Sequence, residues 1–171
     1  MKVALIAKPG HLDTGVGRYT AQLQSALESS GIQVILVHPI NPLPAGLQRL
    51  LKRWLRIDVQ NFFDNYPIWA RYPPADIYHL TSQNLATLMF FRHPPGKTVI
   101  TVHDLIPWLT RKDPELRVYR TAIEAGFDRL ALLGLQRSDI LLADSHFTRQ
   151  VLEKSLKKSS QKVVVVSLGG C

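Results

Sequence analysis

The sequence has little cysteine and no long apolar run. Cys171 is the single cysteine of the 171 residues, so an intrachain disulfide is excluded and a reducing compartment is expected. The first apolar run, residues 3–7, ends at Lys8 and is shorter than the ~7–15 apolar residues of a secretory signal. No stretch approaches the ~20 apolar residues that cross a membrane. These absences predict a cytoplasmic protein.

Acidic residues are also scarce. The chain has 21 lysines and arginines but only 13 aspartates and glutamates, a formal net charge of +8. This excess favours an anionic partner such as a phosphate group, a nucleic acid or an acidic lipid surface. The basic residues are spread along the chain and form no recognisable nucleic-acid-binding module, so nucleic acid is disfavoured as a partner.

Short apolar runs of strand length recur along the chain and alternate with helical patterns. The runs do not alternate strictly between apolar and polar residues, which is typical of strands buried on both faces. This order predicts a single α/β domain of the Rossmann-like, doubly wound type, with a mostly parallel sheet of about six strands and helices on both faces. The predicted strands are residues 3–7, 34–37, 77–80, 99–102, 140–143 and 163–166.

Helical periodicity fills the segments between these strands. Residues 19–27 predict a helix that ends at Gly31 as its C′ glycine. A second apolar stripe covers residues 47–55, and a long helix is predicted from about Pro114 to Gln136. Ser145 is predicted to cap a last helix. Ligands of parallel sheets bind at the carboxyl ends of the strands. The loops that begin at Lys8, His38, Thr81, His103 and Asp144 are therefore the candidate functional loops.

A glycine-containing loop follows the first strand. Glycines at a strand-to-helix turn let the backbone approach a phosphate closely, and Gly15 and Gly17 stand there with Arg18 beside them. The dinucleotide fingerprint is incomplete because Thr20 occupies the position of its third glycine, and no acidic residue follows the second strand. A nicotinamide dehydrogenase is therefore disfavoured. A phosphate-binding loop and a plain glycine-rich turn both remain open.

A titratable pair, His103 and Asp104, ends the fourth predicted strand. A histidine there can hydrogen-bond a ligand hydroxyl, and Asp104 can orient a ligand or cap the following turn. A structural histidine with a capping aspartate is the alternative. The 6 histidines show no metal-ligand spacing, and no Gly-x-Ser-x-Gly elbow is present. Neither a metal site nor a serine hydrolase is predicted.

Four motifs, taken together, resemble a known family. They are Gly-Val-Gly-Arg-Tyr at 15–19, Thr-Val-His-Asp at 101–104, Ala-Asp-Ser-His-Phe-Thr at 143–148, and a final strand followed by glycines at 162–170. In order and spacing they resemble the N-terminal domain of the GT-B glycosyltransferases of the large retaining family four. The resemblance covers residues 1–171.

The resemblance implies transfer of a sugar from a nucleotide-sugar to an acceptor hydroxyl with retention, without a metal or other cofactor. The acceptor would be a glycan or a lipid-linked sugar. Gly15 and Gly17 would face the diphosphate and the transferred sugar, and His103 would hydrogen-bond the donor sugar, with Asp104 as a weaker catalytic candidate. Ser145 matches a small hydroxyl residue of the donor site, although helix capping is the preferred role. The charge of Arg18 suits the departing diphosphate.

The family's nucleotide-binding domain, with paired glutamates on a helix that starts at a glycine, is not found in this sequence. Residues 1–171 are therefore expected to be the acceptor-side domain, inactive without the C-terminal domain. If the cleft face is permanently unpartnered, an apolar patch and self-association are expected there. A stand-alone, non-catalytic binding or regulatory module is the alternative. Acceptor choice is assigned to loops at residues 39–44, 62–74 and 108–114.

Residues 47–56 form the sharpest local pattern. Leucines and Trp54 recur at helical spacing on one side, while Arg49, Lys52, Arg53 and Arg56 lie on the other. Such a basic amphipathic helix can lie on the inner face of an anionic membrane as a peripheral contact. The alternative is a helix that packs its leucines on the sheet and exposes its basic residues to water.

Overall fold

The computed structural model describes residues 1–9, 14–55, 58–111, 113, 115–116, 121–156 and 162–166. Within these residues, six strands form one parallel sheet in the order β2-β1-β3-β4-β5-β6. The predicted Rossmann-like, doubly wound fold is thus confirmed, and the strand bounds differ from the predicted ones by two residues or fewer. The strands are β1 (Lys2–Ile6), β2 (Gln33–Val37), β3 (Ile77–Leu80), β4 (Lys97–Val102), β5 (Ile140–Ala143) and β6 (Lys162–Val165).

The helices connect successive strands. Because parallel crossovers are right-handed, the reversal of strand order at β1 places α1 on one face and the later helices on the other. They are α1 (Gly15–Ser29), α2 (Ala45–Leu55), α3 (Val59–Asn65), α4 (Leu88–Phe91), α5 (Ile106–Leu109), α6 (Ala122–Leu135) and α7 (His146–Ser155), with a 3₁₀ turn at Gln83–Thr87. No helix of the described residues is long and apolar enough to cross a membrane.

Sequence signals set the ends of α1. The Thr14 hydroxyl caps its start by accepting a hydrogen bond from the Gly17 amide at 3.0 Å. Gly31, just beyond its end, has a φ of 74°, which is the left-handed conformation predicted for a C′ glycine.

Burial separates the central strands from the edge. Residues 3–7 of β1 and the adjoining loop are all 3% exposed or less, as expected for a strand covered on both faces. In contrast, the edge strand β2 is exposed at Gln33 and at Leu36, which is 41% exposed, while Val37 is buried. The expectation of burial on both faces is therefore not met along the whole of β2, which has a neighbouring strand on one side only.

The long predicted helix is shorter than its apolar pattern suggested. Glu115 and Leu116 lie in a turn, and α6 begins only after Thr121. Thr121 and Glu124 form a reciprocal capping box at 3.1 and 3.3 Å, which marks the true start. Pro114 and Val118, which were predicted to be helical, lie outside the described residues. The apolar spacing of the sequence also did not predict α3 and α5. These helices occupy parts of the predicted acceptor loops at residues 62–74 and 108–114.

Candidate functional site

A pocket of about 330 Å³ lies where β4 and β5 end. Both strands stop there, and their next residues turn into α5 and α7, so side chains from two loops and a helix start converge. Its wall combines titratable, hydroxyl and apolar groups. The lining residues are His103, Asp104, Leu105, Ile106, Asp144, Ser145, Phe147, Thr148 and Val151.

His103 has a defined orientation in this pocket. Its Nε2 lies 3.0 Å from the carbonyl oxygen of Thr81, which follows β3. A carbonyl can only accept, so Nε2 carries a hydrogen and donates it. The other ring nitrogen, Nδ1, lies 3.8 Å from Oδ2 of Asp144, beyond hydrogen-bond distance. In the neutral ring Nδ1 is therefore the nitrogen able to accept a hydrogen bond from a ligand hydroxyl.

Asp144 is the second titratable group of the pocket, and its position is held by Thr148. The buried Thr148 hydroxyl lies 2.9 Å from Oδ1 of Asp144 and 3.2 Å from the carbonyl oxygen of His103. Because Thr148 comes from the first turn of α7, this helix fixes both pocket residues relative to each other.

Ser145 acts as the N-cap of α7. Its Oγ accepts a hydrogen bond from the Thr148 amide at 3.1 Å and donates to the Thr148 hydroxyl at 2.9 Å. The predicted capping role is present in the structure, and Ser145 also lines the pocket. Asp104 caps the turn that precedes α5, since its Oδ1 accepts a hydrogen bond from the amide of Ile106 at 3.1 Å. This is the turn-capping alternative considered from the sequence.

A second layer supports His103 from α1 and β3. The ring of Tyr19 packs edge-on against the His103 ring with centroids 4.9 Å apart. The Tyr19 hydroxyl lies 2.8 Å from the hydroxyl of Thr101, which lies 2.8 Å from Nε2 of His79. Burial, and then the charge of His103, lowers the pKa of His79 to about 4. His79 is therefore neutral near pH 7. The hydrogen-bonded hydroxyl of Thr101 and ring of His79 thus hold the Tyr19 hydroxyl without placing a charge beneath the pocket.

The glycine loop lies beside a different cavity. Residues 10–13 fall outside the described part of the chain, but Gly15, Gly17 and Arg18 form the first turn of α1. Gly17 lines a cavity of about 160 Å³ together with Lys8 and His38, which follow β1 and β2. This cavity shares no lining residue with the pocket of His103. The glycine turn and His103 therefore lie at separate cavities. Tyr19, which follows the turn in α1, links them through the contact of its ring with the His103 ring.

The three residues of that turn differ in their surroundings. The Gly17 amide is engaged by the Thr14 cap, so it is already satisfied within the protein. At Gly15, no atom of the described residues, apart from its chain neighbours and its own helix backbone, lies within 4 Å of where a Cβ would stand. Arg18 is exposed. Packing against the described residues therefore does not explain glycine at position 15.

Comparison with protein families gives one match that covers most of the chain. A family model described as Glycosyltransferase Family 4 matches residues 14–169. The chain belongs to Glycosyltransferase Family 4. A comparison with curated proteins gives no significant match. The matched region contains all the pocket residues of this Family 4 domain and its α1 turn, and the family resemblance drawn from the four motifs is confirmed.

Several residues that line the pocket of the Family 4 domain or hold His103 in place were missed as site candidates. In the sequence, Thr81 and Asp144 were identified only as the first residues of candidate functional loops. Their position after predicted strands was the only signal for them. Thr148 carried no signal beyond its place in a resembling motif. Tyr19 and Thr101 meet across 82 positions of sequence, so no local pattern could have paired them. Among the described residues, no group of three or more histidines, cysteines, aspartates or glutamates could hold a metal ion.

Proposed function

We propose that this Family 4 chain is the acceptor-side domain of a retaining GT-B transferase. It would move a sugar from a nucleotide-sugar to an acceptor hydroxyl, in a cleft closed by a C-terminal nucleotide-binding domain. The observation that carries this proposal is the pocket at the ends of β4 and β5, where His103 presents Nδ1 beside the carboxylate of Asp144. Its volume of about 330 Å³ is near the lower end of ligand pockets, which run from ~300 to ~1,000 Å³. That size suits one sugar better than a whole nucleotide-sugar.

The two titratable groups suit two parts of the reaction. Nδ1 of His103 accepts a hydrogen bond from a hydroxyl of the donor sugar, which orients the ring. The carboxylate of Asp144 favours the positive character that develops on the sugar as its bond to phosphate breaks. Asp104, whose Oδ1 accepts a hydrogen bond from the Ile106 amide in the turn before α5, contributes through the shape of the pocket wall. The departing phosphate assists the acceptor on the same face of the sugar, which preserves the anomeric configuration.

The leaving diphosphate belongs at the first turn of α1. Open space beside Gly15 leaves room for the backbone to approach a phosphate, and the helix start supplies its positive dipole end. Exposed Arg18 adds a full positive charge. These groups meet the developing negative charge without a metal ion.

The test compares two forms of the protein. Release of nucleoside diphosphate from a panel of uridine- and guanosine-based sugar nucleotides is measured for residues 1–171 and for the protein extended through any coding sequence that follows Cys171. We expect turnover in the extended form and none in residues 1–171 alone. Ligand binding without turnover in both forms would instead support a stand-alone binding or regulatory module.

His103→Ala is expected to lower kcat/KM for transfer by about 10- to 100-fold, which is the effect of losing one or two hydrogen bonds to the substrate. The measurement is steady-state transfer by the active form, with the melting temperature recorded in parallel. His146→Ala serves as the matched control, because His146 is exposed at the start of α7 and does not line the pocket. An equal loss of activity in both variants would contradict the role of His103.

Gly15→Ala is expected to separate stability from activity. Because a Cβ at this helical position would meet no neighbouring atom of the described residues, alanine should raise the free energy of unfolding by up to ~1 kcal/mol. The added methyl group should nevertheless lower transfer by crowding the diphosphate. Gly46→Ala in α2, where space is equally open, is the control and should leave transfer unchanged. Unchanged transfer by Gly15→Ala would remove the diphosphate from this turn.

A further inference from the structure

Strand β2 is an edge of the sheet, and the direction of its hydrogen bonds is fixed at both ends. The Gln33 amide donates to the carbonyl oxygen of Met1 at 3.1 Å, and the Val37 carbonyl oxygen accepts from the Ala7 amide at 3.0 Å. In a parallel ladder, the N–H and C=O groups of one residue point to the same side, and successive residues alternate between the two sides. The first, third and fifth residues of β2 therefore bond to β1.

The second and fourth residues of β2, Val34 and Leu36, point their N–H and C=O groups away from the sheet. No other strand of the described residues lies on that side, and no described group bonds to these backbone groups. Edge strands are usually protected from further pairing by charged residues, proline or a bulge. Residues 33–37 contain neither a charge nor a proline, and their register with β1 is unbroken. The outer edge of β2 is therefore an open template for another strand.

The side chain of Leu36 is uncovered beside this edge. Leu36 is 41% exposed, although it lies on the face of the sheet that carries α1. It lines the cavity of about 160 Å³ together with Val16, Thr20 and Gln24 of α1. Because residues opposite each other on paired strands share a face, an apolar residue of an added strand would cover Leu36 there.

A second copy of β2 fits this edge with every outward backbone group paired. When two β2 strands run antiparallel with Ile35 of each copy directly opposite the other, Val34 lies opposite Leu36 of the second copy. Residues in such a pair exchange both of their N–H···O=C hydrogen bonds. The two equivalent pairs therefore use all the outward groups of both strands, and the Val34 side chain of each copy covers Leu36 of the other.

The charges beside the edge also favour a second copy. Helix α1, which flanks β2 on one face, has Arg18 near its start and Glu28 near its end as its only charged residues. A twofold axis through Ile35 makes the two α1 helices antiparallel, so the Arg18 end of each lies towards the Glu28 end of the other. This arrangement brings opposite charges together. A strand from an unrelated protein would find hydrogen bonds at β2 but no charge on β2 to select it.

We propose that β2 is the interface of a homodimer in which two sheets join into one continuous sheet. The assembly is closed, because the pairing uses the β2 edge of both copies and leaves neither edge free for a third. A short strand pair is a small interface, so we expect micromolar rather than nanomolar association. The interface is distinct from the cleft face at the ends of β4 and β5, and the inference does not depend on the transferase activity.

Sedimentation velocity tests for the dimer. The chain is measured at concentrations from about 1 to about 200 µM, in about 0.15 M salt to screen the net charge of +8. We expect a reversible equilibrium between monomer and dimer. A monomer over the whole range, or species that grow beyond a dimer, would overturn the proposal.

Two variants at one position assign the dimer to β2. Leu36→Pro removes an N–H that does not bond to β1, and proline is tolerated at such positions of edge strands. Leu36→Lys keeps this N–H and adds a charge to the edge. We expect each to weaken dimerisation by roughly tenfold or more with little change in melting temperature. If Leu36→Pro does not fold, Leu36→Lys decides.

Phe147→Ser is the matched control for these variants. Phe147 is also exposed, at 66%, but it lies at the cleft face, where it lines the pocket of His103. The control should therefore leave the dimer intact. A dimer that dissociates in Phe147→Ser but not in Leu36→Lys would lie at the cleft face, which would exclude the β2 interface.

Disulfide cross-linking tests the register in a Cys171→Ser background. Ile35→Cys places the two thiols on the twofold axis, where the Cα atoms of opposite residues are about 4.5 Å apart. Leu36→Cys is more exposed, but diagonal neighbours lie about 7–8 Å apart, at the limit for a disulfide. We expect Ile35→Cys to form the covalent dimer about tenfold faster under mild oxidation, as seen on non-reducing gels. Equal or faster cross-linking of Leu36→Cys would contradict the proposed pairing.

Discussion

Gly134→Ala is expected to lower the free energy of unfolding by about 3 kcal/mol, the upper end of the usual cost of overpacking a core. A Cβ at this position would lie 2.1 Å from the carbonyl oxygen of Ala86 and 2.8 Å from its carbonyl carbon. Both are backbone atoms of the 3₁₀ turn (Gln83–Thr87), where Leu85 and Ala86 are fully buried. No side chain can rotate away to relieve the contact, so α6 and the turn must separate.

Gly126→Ala is the matched control for this prediction. Gly126 belongs to the same helix, but a Cβ placed there would have no neighbour within 4 Å among the described residues outside the helix backbone. Alanine at 126 should therefore stabilise the protein by up to ~1 kcal/mol through helix propensity. Urea unfolding of the two variants measures both effects. A similar change of midpoint in both would mean that α6 does not pack on the turn as closely as described.

The same contact bears on the functional site. The 3₁₀ turn begins with Gln83, whose side-chain oxygen accepts a hydrogen bond from the His103 amide at 3.3 Å. Displacing the turn should therefore disturb the end of β4 as well as the core. We expect residual activity of Gly134→Ala to fall further than its folded fraction.

The second large effect is a loss of stability at mildly acidic pH caused by His79. Its pKa is about 4 in the folded protein, against 6.5 for the ordinary group. Between these values the unfolded chain binds a proton that the folded protein does not, so stability falls as the pH drops from about 6.5 to about 4. The stabilisation is complete above pH 6.5, and its loss amounts to about 3 kcal/mol when the shift is converted at 1.36 kcal/mol per pKa unit.

Chemical unfolding of His79→Gln across this pH range isolates the effect. The variant removes the titrating ring, so its stability should vary much less between pH 6.5 and 4 than that of the parent protein. Exposed His146→Gln is the control and should keep the parent's pH dependence. If His79→Gln retained the full pH dependence, buried groups other than His79 would be responsible.

Much of the fold was readable from local patterns. Six short apolar runs predicted the six strands of the described residues to within two residues, because buried parallel strands are runs of β-branched and apolar residues. Gly31 and Ser145 were assigned correctly since caps depend on one residue's own conformation or side chain. The start of α6 was misplaced because apolar spacing alone cannot tell a helix from the segment before its capping box.

Less of the site was readable. His103 was found because a titratable residue at the end of a strand is a local signal, whereas its tautomer depends on Thr81, 22 positions away. Asp144 was identified only as the start of a candidate loop, and only the pairing of β4 with β5 brings its carboxylate near His103. The roles assigned to Gly15, Gly17 and Arg18 remain predictions that the activity measurements will test.

The sequence by itself determined the α/β class, the strand and cap positions, and the family, since each depends on residue type and spacing along the chain. Tertiary structure alone decided that β2 lies at the sheet edge, that Tyr19 reaches His103, and that α2 leaves Leu47 and Leu50 exposed to solvent. The physical reason is the same in each case. An amphipathic pattern shows which side of an element is apolar, but only the placement of its neighbours decides which side is covered.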